Sequence, residues 1–573
     1  MKRIKVLTII LAITLIVSGC ELNKEASNQN KDTQSAINSE NIHLTMVKPK
    51  TINPIMNKDK SVGFITNLIY DSLFTINEDY NVVPQLVEEY GISQDGMSIS
   101  IKLKDAKWHD QSEVTSSDVK FTIDFIQKNA DNPYKVFTDN ISSISLINSK
   151  EFTIRFKEKY AFSIDTLIFP IISQKQLESA GTTEINNYKN NLIGNGPYKI
   201  ERYEERNGIV LVVNEEYYDE LPKTMKNIEV GIVPDKESQV SMVMALESDI
   251  ANISLNDLSK FQEKEFKITN YEGRDYEYVA FNFDNIFLKD LNFRKAIAHA
   301  INRSTILEEG YIEDATLVNF PLNSKSKYYD KELKPLDYNK EKAKSYLNKV
   351  KPISEKESQS EVDSKNNIDS NNANKSQEQG NTQAENDKVN PNKSKTDDKN
   401  ESNEENAKKK SKEDIKKMIS ELDLKIIVNK ENGERTKSAY IISENLKAIG
   451  IKSTVHKLTV EEMDKALNEK DYDLAMLGLE LPSVPDARFI IENSGYSDEK
   501  LTNYISSLLQ ATSENQTKEI YKSIQKHVRD NVVFISLVIR DDYIVTNKRL
   551  DGKISPNDFD VYEGISNLNI KKK

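Results

Sequence analysis

Residues 422–479 give the clearest local pattern in the chain. Segments whose apolar residues have the spacing of a strand alternate there with segments whose apolar residues have the spacing of a helix. Three β-rich runs alternate with two runs of helical spacing, in the order Leu422 to Asn429, Thr436 to Ile449, Ile451 to His456, Val460 to Asn468 and Tyr472 to Leu479. Strand, helix, strand, helix, strand at these lengths predicts a parallel sheet with right-handed crossovers. Ligands of such sheets bind beyond the carboxyl ends of the strands, here Asn429 to Arg435 and Gly478 to Glu480.

Helical and strand-like patterns also occur in the rest of the chain. Thr115-Ser116-Ser117-Asp118 has a helix-capping pattern in front of apolar residues, which predicts that a helix begins there. A second amphipathic helix is expected from about Asn292 to Ile301. Glu151 to Phe156 and Ile209 to Val213 have the composition of strands. The fold class predicted from these patterns is mixed α/β.

The N-terminus carries positive residues, then the apolar run Val6 to Val17, then Ser18-Gly19-Cys20. This order is typical of a secretory signal, which we assign to residues 1–19. The apolar run is shorter than the about 20 residues that a transmembrane helix needs, and nothing after Cys20 approaches that length. Any membrane contact is therefore expected at the N-terminus.

Cys20 is the only cysteine among 573 residues, which excludes an intrachain disulfide. Val17-Ser18-Gly19-Cys20 resembles the bacterial lipobox, in which the cysteine takes a diacylglyceryl group and becomes the first mature residue. We expect a lipid anchor on Cys20 and a flexible tether over residues 20–41, which are polar and lack aromatic side chains.

One low-complexity stretch interrupts the chain. Lys351 to Lys412 is rich in Asn, Ser, Lys, Glu and Asp and has no aromatic residue. We expect a disordered insertion, and the helical patterns on either side, Tyr338 to Val350 and Lys412 to Leu422, place it inside a domain. The formal net charge of −12 argues against a nucleic-acid partner.

No catalytic or cofactor signature was found. Gly194-Asn195-Gly196-Pro197 is better interpreted as a turn than as a phosphate-binding loop, and the five histidines are too scattered to predict a zinc site. Trp108-His109-Asp110 contains the sole tryptophan. We interpret it as a packing tryptophan with a turn-forming aspartate; a stacking platform or an acid/base pair is the alternative. We therefore predict no enzyme, no metal and no cofactor.

An ordered series of short motifs runs through the chain. The motifs are Tyr70-Asp71-Ser72-Leu73-Phe74, Pro84-Gln85-Leu86-Val87, Lys107-Trp108-His109-Asp110, Thr115 to Phe121, Gly194-Asn195-Gly196-Pro197-Tyr198, Asn282, Phe293-Arg294-Lys295-Ala296-Ile297, Ala300-Ile301-Asn302-Arg303, Gly450-Ile451 and Tyr472-Asp473-Leu474. Their order and spacing resemble those of the extracellular oligopeptide- and dipeptide-binding proteins, the family 5 solute-binding proteins of ABC importers. The resemblance covers Ile42 to Asn569 except the insertion.

The resemblance implies a two-lobed clamp of the class II periplasmic-binding-protein type. The chain would begin in lobe one, cross to lobe two near Tyr278 and return near Ile535. Lobe one is then expected to contain residues 42–277 and 536–573, with an extra subdomain at about residues 85–190. Lobe two is expected to contain residues 278–535, with the insertion at 351–412.

In peptide-binding members, the ligand backbone pairs like an added strand with one extended segment from each lobe. The resemblance places these segments at Asp59-Lys60-Ser61 and Leu477-Gly478-Leu479. It also makes Asn282 a candidate ligand contact. Arg435, beyond a lobe-two strand, is either a clamp for a ligand carboxylate or a solvated charge at a helix start.

The sequence departs from the family pattern just after the lobe-two segment. Leu479 stands where peptide-binding relatives have an aromatic residue, and Pro482 stands where an aspartate pairs with the peptide amino terminus. Glu480 or Asp486 would have to replace that aspartate. A buried ammonium without a partner is unfavourable, so without either residue recognition of the amino terminus would be lost.

The leading hypothesis is a monomeric, lipid-anchored receptor at the extracellular face of the cytoplasmic membrane. It would capture short peptides and deliver them to the permease of an ABC importer. The alternatives are a non-peptide solute such as a metal chelate, haem or sugar, and a surface peptide sensor without a transport role.

Overall fold

The computed structural model describes residues 41–177, 192–222, 224–351 and 412–571. The predicted signal peptide, Cys20 and nearly all of the predicted tether lie outside these residues. The same holds for the predicted insertion, of which only Lys351 and Lys412 are described. Within the described ranges, no helix has both the length and the apolar composition needed to cross a membrane.

The strands of the described chain are β1 (Ile42–Val47), β2 (Phe74–Ile76), β3 (Val82–Pro84), β4 (Val87–Ile92), β5 (Ser98–Leu103), β6 (Ile141–Leu146), β7 (Glu151–Phe156), β8 (Tyr198–Glu204), β9 (Gly208–Val213), β10 (Asn227–Val233), β11 (Ile250–Ile253), β12 (Phe266–Phe281), β13 (Ala315–Leu317), β14 (Asp423–Asn429), β15 (Lys452–Leu458), β16 (Leu474–Glu480), β17 (Phe534–Asn547), β18 (Leu550–Asp551) and β19 (Asn569–Ile570).

The α-helices are α1 (Lys60–Thr66), α2 (Ser116–Lys128), α3 (Lys135–Thr138), α4 (Gln174–Leu177), α5 (Lys236–Met244), α6 (Ile286–Lys289), α7 (Leu291–Ala300), α8 (Arg303–Thr305), α9 (Lys340–Leu347), α10 (412–421), α11 (Gly433–Lys447), α12 (Val460–Glu469), α13 (Arg488–Glu492), α14 (Glu499–Gln510) and α15 (Glu514–Asn531). Thr115 caps α2 with a capping box, as its sequence predicts.

Two four-stranded sheets form the first part of the molecule. One has the order β1-β10-β9-β8, in which β1 and β10 are parallel, and the other has the order β4-β5-β7-β6. The sole tryptophan, Trp108, is buried, and its indole N–H points to Asp118 at 3.4 Å. His109 Nδ1 accepts a hydrogen bond from the Gly194 N–H at 3.1 Å. The packing interpretation of this motif is therefore confirmed.

The third large sheet contains the parallel unit that the sequence predicts. Its order is β11-β17-β12-β16-β14-β15, and β14 runs parallel to both β15 and β16. Each predicted strand and helix of the unit is present, with boundaries shifted by up to three residues. The largest shift is at α11, which begins at Gly433 because the Asn432 side chain caps it by accepting from the Arg435 N–H at 2.8 Å.

Strands β12 and β17 connect the two parts of the molecule and lie side by side. They pair antiparallel from Phe266 to Ala280, with register shifts after Glu272 and after Glu277. Near the start of β12, Tyr271 belongs to the hydrophobic core of the first part, whereas Val279 belongs to the core that contains β14 and β16. The predicted crossings near Tyr278 and Ile535 fall on these two strands.

A buried carboxyl in the first core gives a pH prediction. Asp71 accepts hydrogen bonds from Gln85 Nε2 at 2.8 Å, from Tyr217 at 3.1 Å and from Tyr218 at 2.8 Å. Burial nevertheless raises the pKa of Asp71 to about 7, because it outweighs the effect of these hydroxyls. Burial likewise raises the pKa of Asp165 to about 7.

We expect the free energy of unfolding to rise as the pH falls from about 8.5 to about 6.5. Over that interval the folded protein takes up protons at these carboxyls, whereas in the unfolded chain they titrate near pH 4. Urea unfolding at both pH values measures the change. Asp71→Asn should reduce the rise, and Asp105→Asn, at an exposed carboxylate, should preserve it. A parent protein whose stability does not change over this interval would contradict the prediction.

Candidate functional site

The predicted lobe-one segment begins α1. Asp59 caps the helix, because its carboxylate accepts from the N–H groups of Ser61 at 2.9 Å and Val62 at 3.2 Å. Ser61 uses its hydroxyl to accept from the Val47 N–H at 3.0 Å. Of the three predicted residues, Lys60 is the one whose side chain reaches the other part of the molecule. Its ammonium lies 2.5 Å from a carboxylate oxygen of Glu480, at the end of β16.

Lys60 and Glu480 belong to a four-residue ion cluster with Arg274 and Asp558. The ammonium of Lys60 lies 3.0 Å from Asp558 Oδ2, and the Arg274 guanidinium lies 2.6 Å from both Asp558 and Glu480. Burial alone would lower the pKa of Lys60, but the carboxylates of Asp558 and Glu480 outweigh it and raise that pKa. The cluster thus joins α1, β12, β16 and the C-terminal segment.

A cavity of about 300 Å³ surrounds this cluster, and we call it the charged cavity. Burial, together with the neighbouring carboxylates of Asp558 and Asp275, raises the pKa of Asp542 in its wall to about 6. Its lining contains five carboxylates and three cationic side chains, so it carries an excess of negative charge. The lining residues are Val47, Asp59, Lys60, Ser61, Phe64, Lys236, Gln239, Asn252, Arg274, Asp275, Glu480, Asp542, Asp558, Val561 and Tyr562.

The predicted lobe-two segment lies on β16, which pairs with β12 along its whole length. At the two ends of this ladder, the Leu481 N–H donates to Arg274 O at 2.8 Å and the Asn282 N–H donates to Asp473 O at 2.9 Å. Antiparallel strands alternate between hydrogen-bonded and non-hydrogen-bonded pairs. Every second residue of β16, counted from Leu481, therefore bonds to β12.

Gly478 and Glu480 alternate with the β16 residues that bond to β12. They direct their backbone N–H and C=O groups to the opposite edge of β16. On that edge, β14 pairs with β16 only at Leu474 and Ala475. From Leu477 onwards no described strand covers the edge of β16. This part of the strand ends at the charged cavity, and we call it the open edge of β16 (Leu477 to Glu480).

Arg435 is not among the residues that line the charged cavity. Its guanidinium donates to both carboxylate oxygens of Glu277, at 2.6 and 2.8 Å, and Glu277 is 3% exposed. The pair lies over Gly478, where an added Cβ would be 2.0 Å from Arg435 Nη2. Both sequence interpretations of Arg435, the carboxylate clamp and the solvated charge, thus differ from its observed place in a buried ion pair.

The other predicted residues are spread more widely. Asp486 is held by Arg488 at 2.6 Å and accepts from the Tyr160 hydroxyl at 3.0 Å, outside the charged cavity. Asn282 lies at the far end of β12, where its amide donates to the carbonyl oxygens of Lys470 and Tyr472 at 2.9 and 2.7 Å. The structure brings Asp59, Lys60 and Ser61 together with Glu480 at the end of the open edge of β16, and it places Arg435 over Gly478 of the same edge. Asn282 and Asp486 lie away from both.

Arg274, Asp542 and Asp558 were not predicted from the sequence. Arg274 and Asp542 lie on the two strands that connect the parts of the molecule, and Asp558 lies in the returning C-terminal segment. The only signal for Arg274 and Asp542 was position, because charged residues on a strand that crosses between lobes are near the cleft. That signal requires the crossing points to be known within one or two residues.

A second contact joins the two parts of the molecule on another side. Phe162, which follows β7 of the predicted subdomain, is fully buried among aromatic side chains of the other part. Its ring centroid lies 5.6 Å from that of Tyr328 and 5.8 Å from that of Tyr521, both edge-on. This geometry is favourable for aromatic pairs. We call Phe162, Tyr328 and Tyr521 the aromatic contact.

Solved structures share this architecture. The substrate-binding protein CtaP of an ABC transporter from Listeria monocytogenes matches 93% of this chain and 99% of its own, with a TM-score of 0.68 at 19% identity. NikZ from Campylobacter jejuni, in complex with Ni(L-His), matches 92% of this chain and 99% of its own, with a TM-score of 0.57 at 21% identity. The fold is therefore the two-lobed α/β fold of periplasmic solute-binding proteins, as the sequence predicts.

Sequence comparison agrees with the fold. The oligopeptide-binding protein AppA of Bacillus subtilis is 24% identical over 365 residues, which are 61% of this chain and 67% of AppA. The chain spans about half the length of other curated relatives, from Brucella species. The profile described as "Bacterial extracellular solute-binding proteins, family 5 Middle" matches residues 81–375, more than half of the chain. The chain is a solute-binding receptor and not an enzyme, and it belongs to family 5 of the bacterial extracellular solute-binding proteins.

Proposed function

We propose that this protein is a lipid-anchored receptor that captures short peptides outside the cytoplasmic membrane and delivers them to the permease of an ABC importer. The observation that carries the peptide assignment is the open edge of β16 beside the charged cavity. Main-chain N–H and C=O groups on an open strand edge bind a peptide backbone without reading its side chains. The name of the relative AppA is consistent with a peptide ligand.

The charged cavity supports the same assignment. Lys60 and Arg274 offer cationic partners for a peptide carboxylate, and Asp275, Glu480 and Asp542 offer partners for an ammonium group. Glu480 already has Lys60 and Arg274 at 2.5 and 2.6 Å, so a ligand ammonium would compete with them. Asp542 is the better candidate for the ligand amine, in place of the aspartate that the family pattern has and this sequence lacks.

N-methyl scanning of a peptide ligand tests the backbone assignment. Tetraalanine and its three analogues that carry one N-methylated peptide bond would be titrated into the mature, lipidated protein by calorimetry. If the ligand pairs with the open edge, methylation should weaken binding about tenfold at alternate positions, where a donor is lost and the methyl group meets the strand. The intervening positions serve as controls.

Equal affinity for all analogues would contradict strand pairing. Mass spectrometry of what co-purifies with the protein supplies the independent check of the solute class. Recovery of metal chelates, haem or sugars without peptides would contradict the peptide assignment altogether. Deletion of the gene separates transport from sensing: an importer receptor is required for uptake of the peptides that it binds, whereas a sensor is not.

A further inference from the structure

A second cavity of about 250 Å³ lies beside the first, and we call it the aromatic cavity. Four aromatic side chains contribute to its wall: Tyr70, Tyr134, Phe137 and Phe559. One acidic residue, Asp560, also lines it. No lysine, arginine or histidine is among the described residues that line this cavity.

The carboxylate of Asp560 is held by hydrogen-bond donors. Its carboxylate accepts from the Tyr562 N–H at 2.9 Å and lies beside the Asn67 side chain. No ion pair to Asp560 is found in the described part of the chain. Burial raises the pKa of Asp560 to about 7, since these hydrogen bonds do not compensate for the loss of water. A cationic ligand group would supply the missing charge.

The aromatic lining favours the same kind of group. A cation close to the face of a Tyr or Phe ring is attracted by the ring quadrupole, and this attraction is largest when water is excluded. An apolar cavity of about 150 Å³ holds a benzene molecule. A cavity of about 250 Å³ therefore has room for the side chain of lysine or arginine.

The aromatic cavity lies within reach of a ligand at the open edge of β16. Ser483, three residues beyond Glu480, lines it, which is a separation of about 10 Å along an extended chain. On the other side, Asp558 of the charged cavity directly precedes Phe559. A peptide backbone in the charged cavity could therefore direct one side chain into the aromatic cavity.

We propose that the aromatic cavity binds the cationic side chain of the captured peptide, so that the receptor prefers peptides containing lysine or arginine. This preference rests on the proposed peptide-binding function. Asp560 pairs with the ammonium or guanidinium, and Phe137 and Tyr134 lie against its alkyl part. The negative excess of the charged cavity favours the same ligands through the electrostatic field between the lobes.

The preference for cationic peptides can be tested by calorimetry, in which the mature protein is titrated with three sets of substituted tetraalanine. Each set carries lysine, norleucine or glutamate at every position in turn, so the unknown position in the site is covered. The best lysine peptide should bind at least tenfold more tightly than its norleucine counterpart, which has the same alkyl length without the charge. The glutamate peptides should bind more weakly than both.

Two variants locate the preference. Asp560→Asn retains an acceptor for the Tyr562 N–H and should reduce the lysine preference to less than threefold, with the norleucine affinity unchanged. Phe137→Leu should reduce the preference partly. Asp551→Asn, at an exposed carboxylate on β18, is the matched control and should leave it intact.

The outcomes separate the two proposals. Norleucine and lysine peptides of equal affinity on the parent protein would overturn the preference and leave peptide capture standing. A lysine preference that Asp560→Asn leaves intact would show that the cation binds elsewhere, and would overturn the assignment to this cavity. Failure of every peptide to bind would overturn the proposed function itself, and the preference with it.

Discussion

Phe162→Ala is expected to weaken ligand binding at least tenfold and to lower the free energy of unfolding by about 3 kcal/mol. Removal of a buried phenylalanine side chain costs about 3–5 kcal/mol when the cavity does not collapse. Here the lost contacts are those with Tyr328 and Tyr521, across the aromatic contact between the two lobes. The closed arrangement therefore loses stability relative to an open one, and the ligand must compensate for the difference.

Calorimetry with a co-purified ligand and urea unfolding would measure the two effects. Phe162→Leu keeps most of the apolar volume and should change both quantities much less. Val136→Ala, at an exposed position of the same subdomain, is the surface control. A destabilised Phe162→Ala protein with unchanged ligand affinity would indicate that the aromatic contact is also present in the open form.

Arg435→Ala is expected to lower the free energy of unfolding by about 3–5 kcal/mol, the usual effect of removing one partner of a buried ion pair. Burial raises the pKa of Glu277, and the Arg435 guanidinium opposes this rise. Without the guanidinium, the carboxylate stays buried without a counter-charge. Lys447→Ala removes the exposed partner of Glu444 from the same helix and should change stability by less than about 0.5 kcal/mol.

Gly478→Ala provides an independent check of this geometry. The added methyl group would displace the Arg435 guanidinium from its position over β16. In the Arg435→Ala background the same methyl group meets less obstruction, so the two effects should be strongly non-additive in urea unfolding. Additive effects would contradict the stacking of the ion pair on Gly478.

Local sequence patterns were sufficient to predict helices and strands, but they did not predict which distant residues contact each other. The parallel unit of β14, β15 and β16 was predicted because strand alternation, helical spacing and helix caps each depend on only a few consecutive residues. The role of Arg435 could not be predicted because it depends on a distant residue. Its partner Glu277 lies 158 residues away on another strand, and no local pattern distinguishes a paired arginine from a solvated one.

The candidate site also contains residues that were predicted and residues that were not. The segments Asp59-Lys60-Ser61 and Leu477-Gly478-Leu479 were placed by family resemblance, and their use in ligand binding remains a prediction. The role of Asp558 depends on contacts with Lys60 and Arg274 over sequence separations of 498 and 284 residues. Such contacts depend on how segments that are far apart in the chain pack against each other, which a single sequence does not specify.

The pairing of β12 with β17 also limits how the receptor can move. Because the two connecting strands are hydrogen-bonded to each other, neither can slide or swing separately without breaking a ladder that extends from Phe266 to Ala280. Relative motion of the lobes is thereby reduced to bending of this pair of strands, most easily at the register shift after Glu272, where neither β13 nor β16 pairs with them. An open and a closed form would then differ by one angle, with no translation of one lobe past the other.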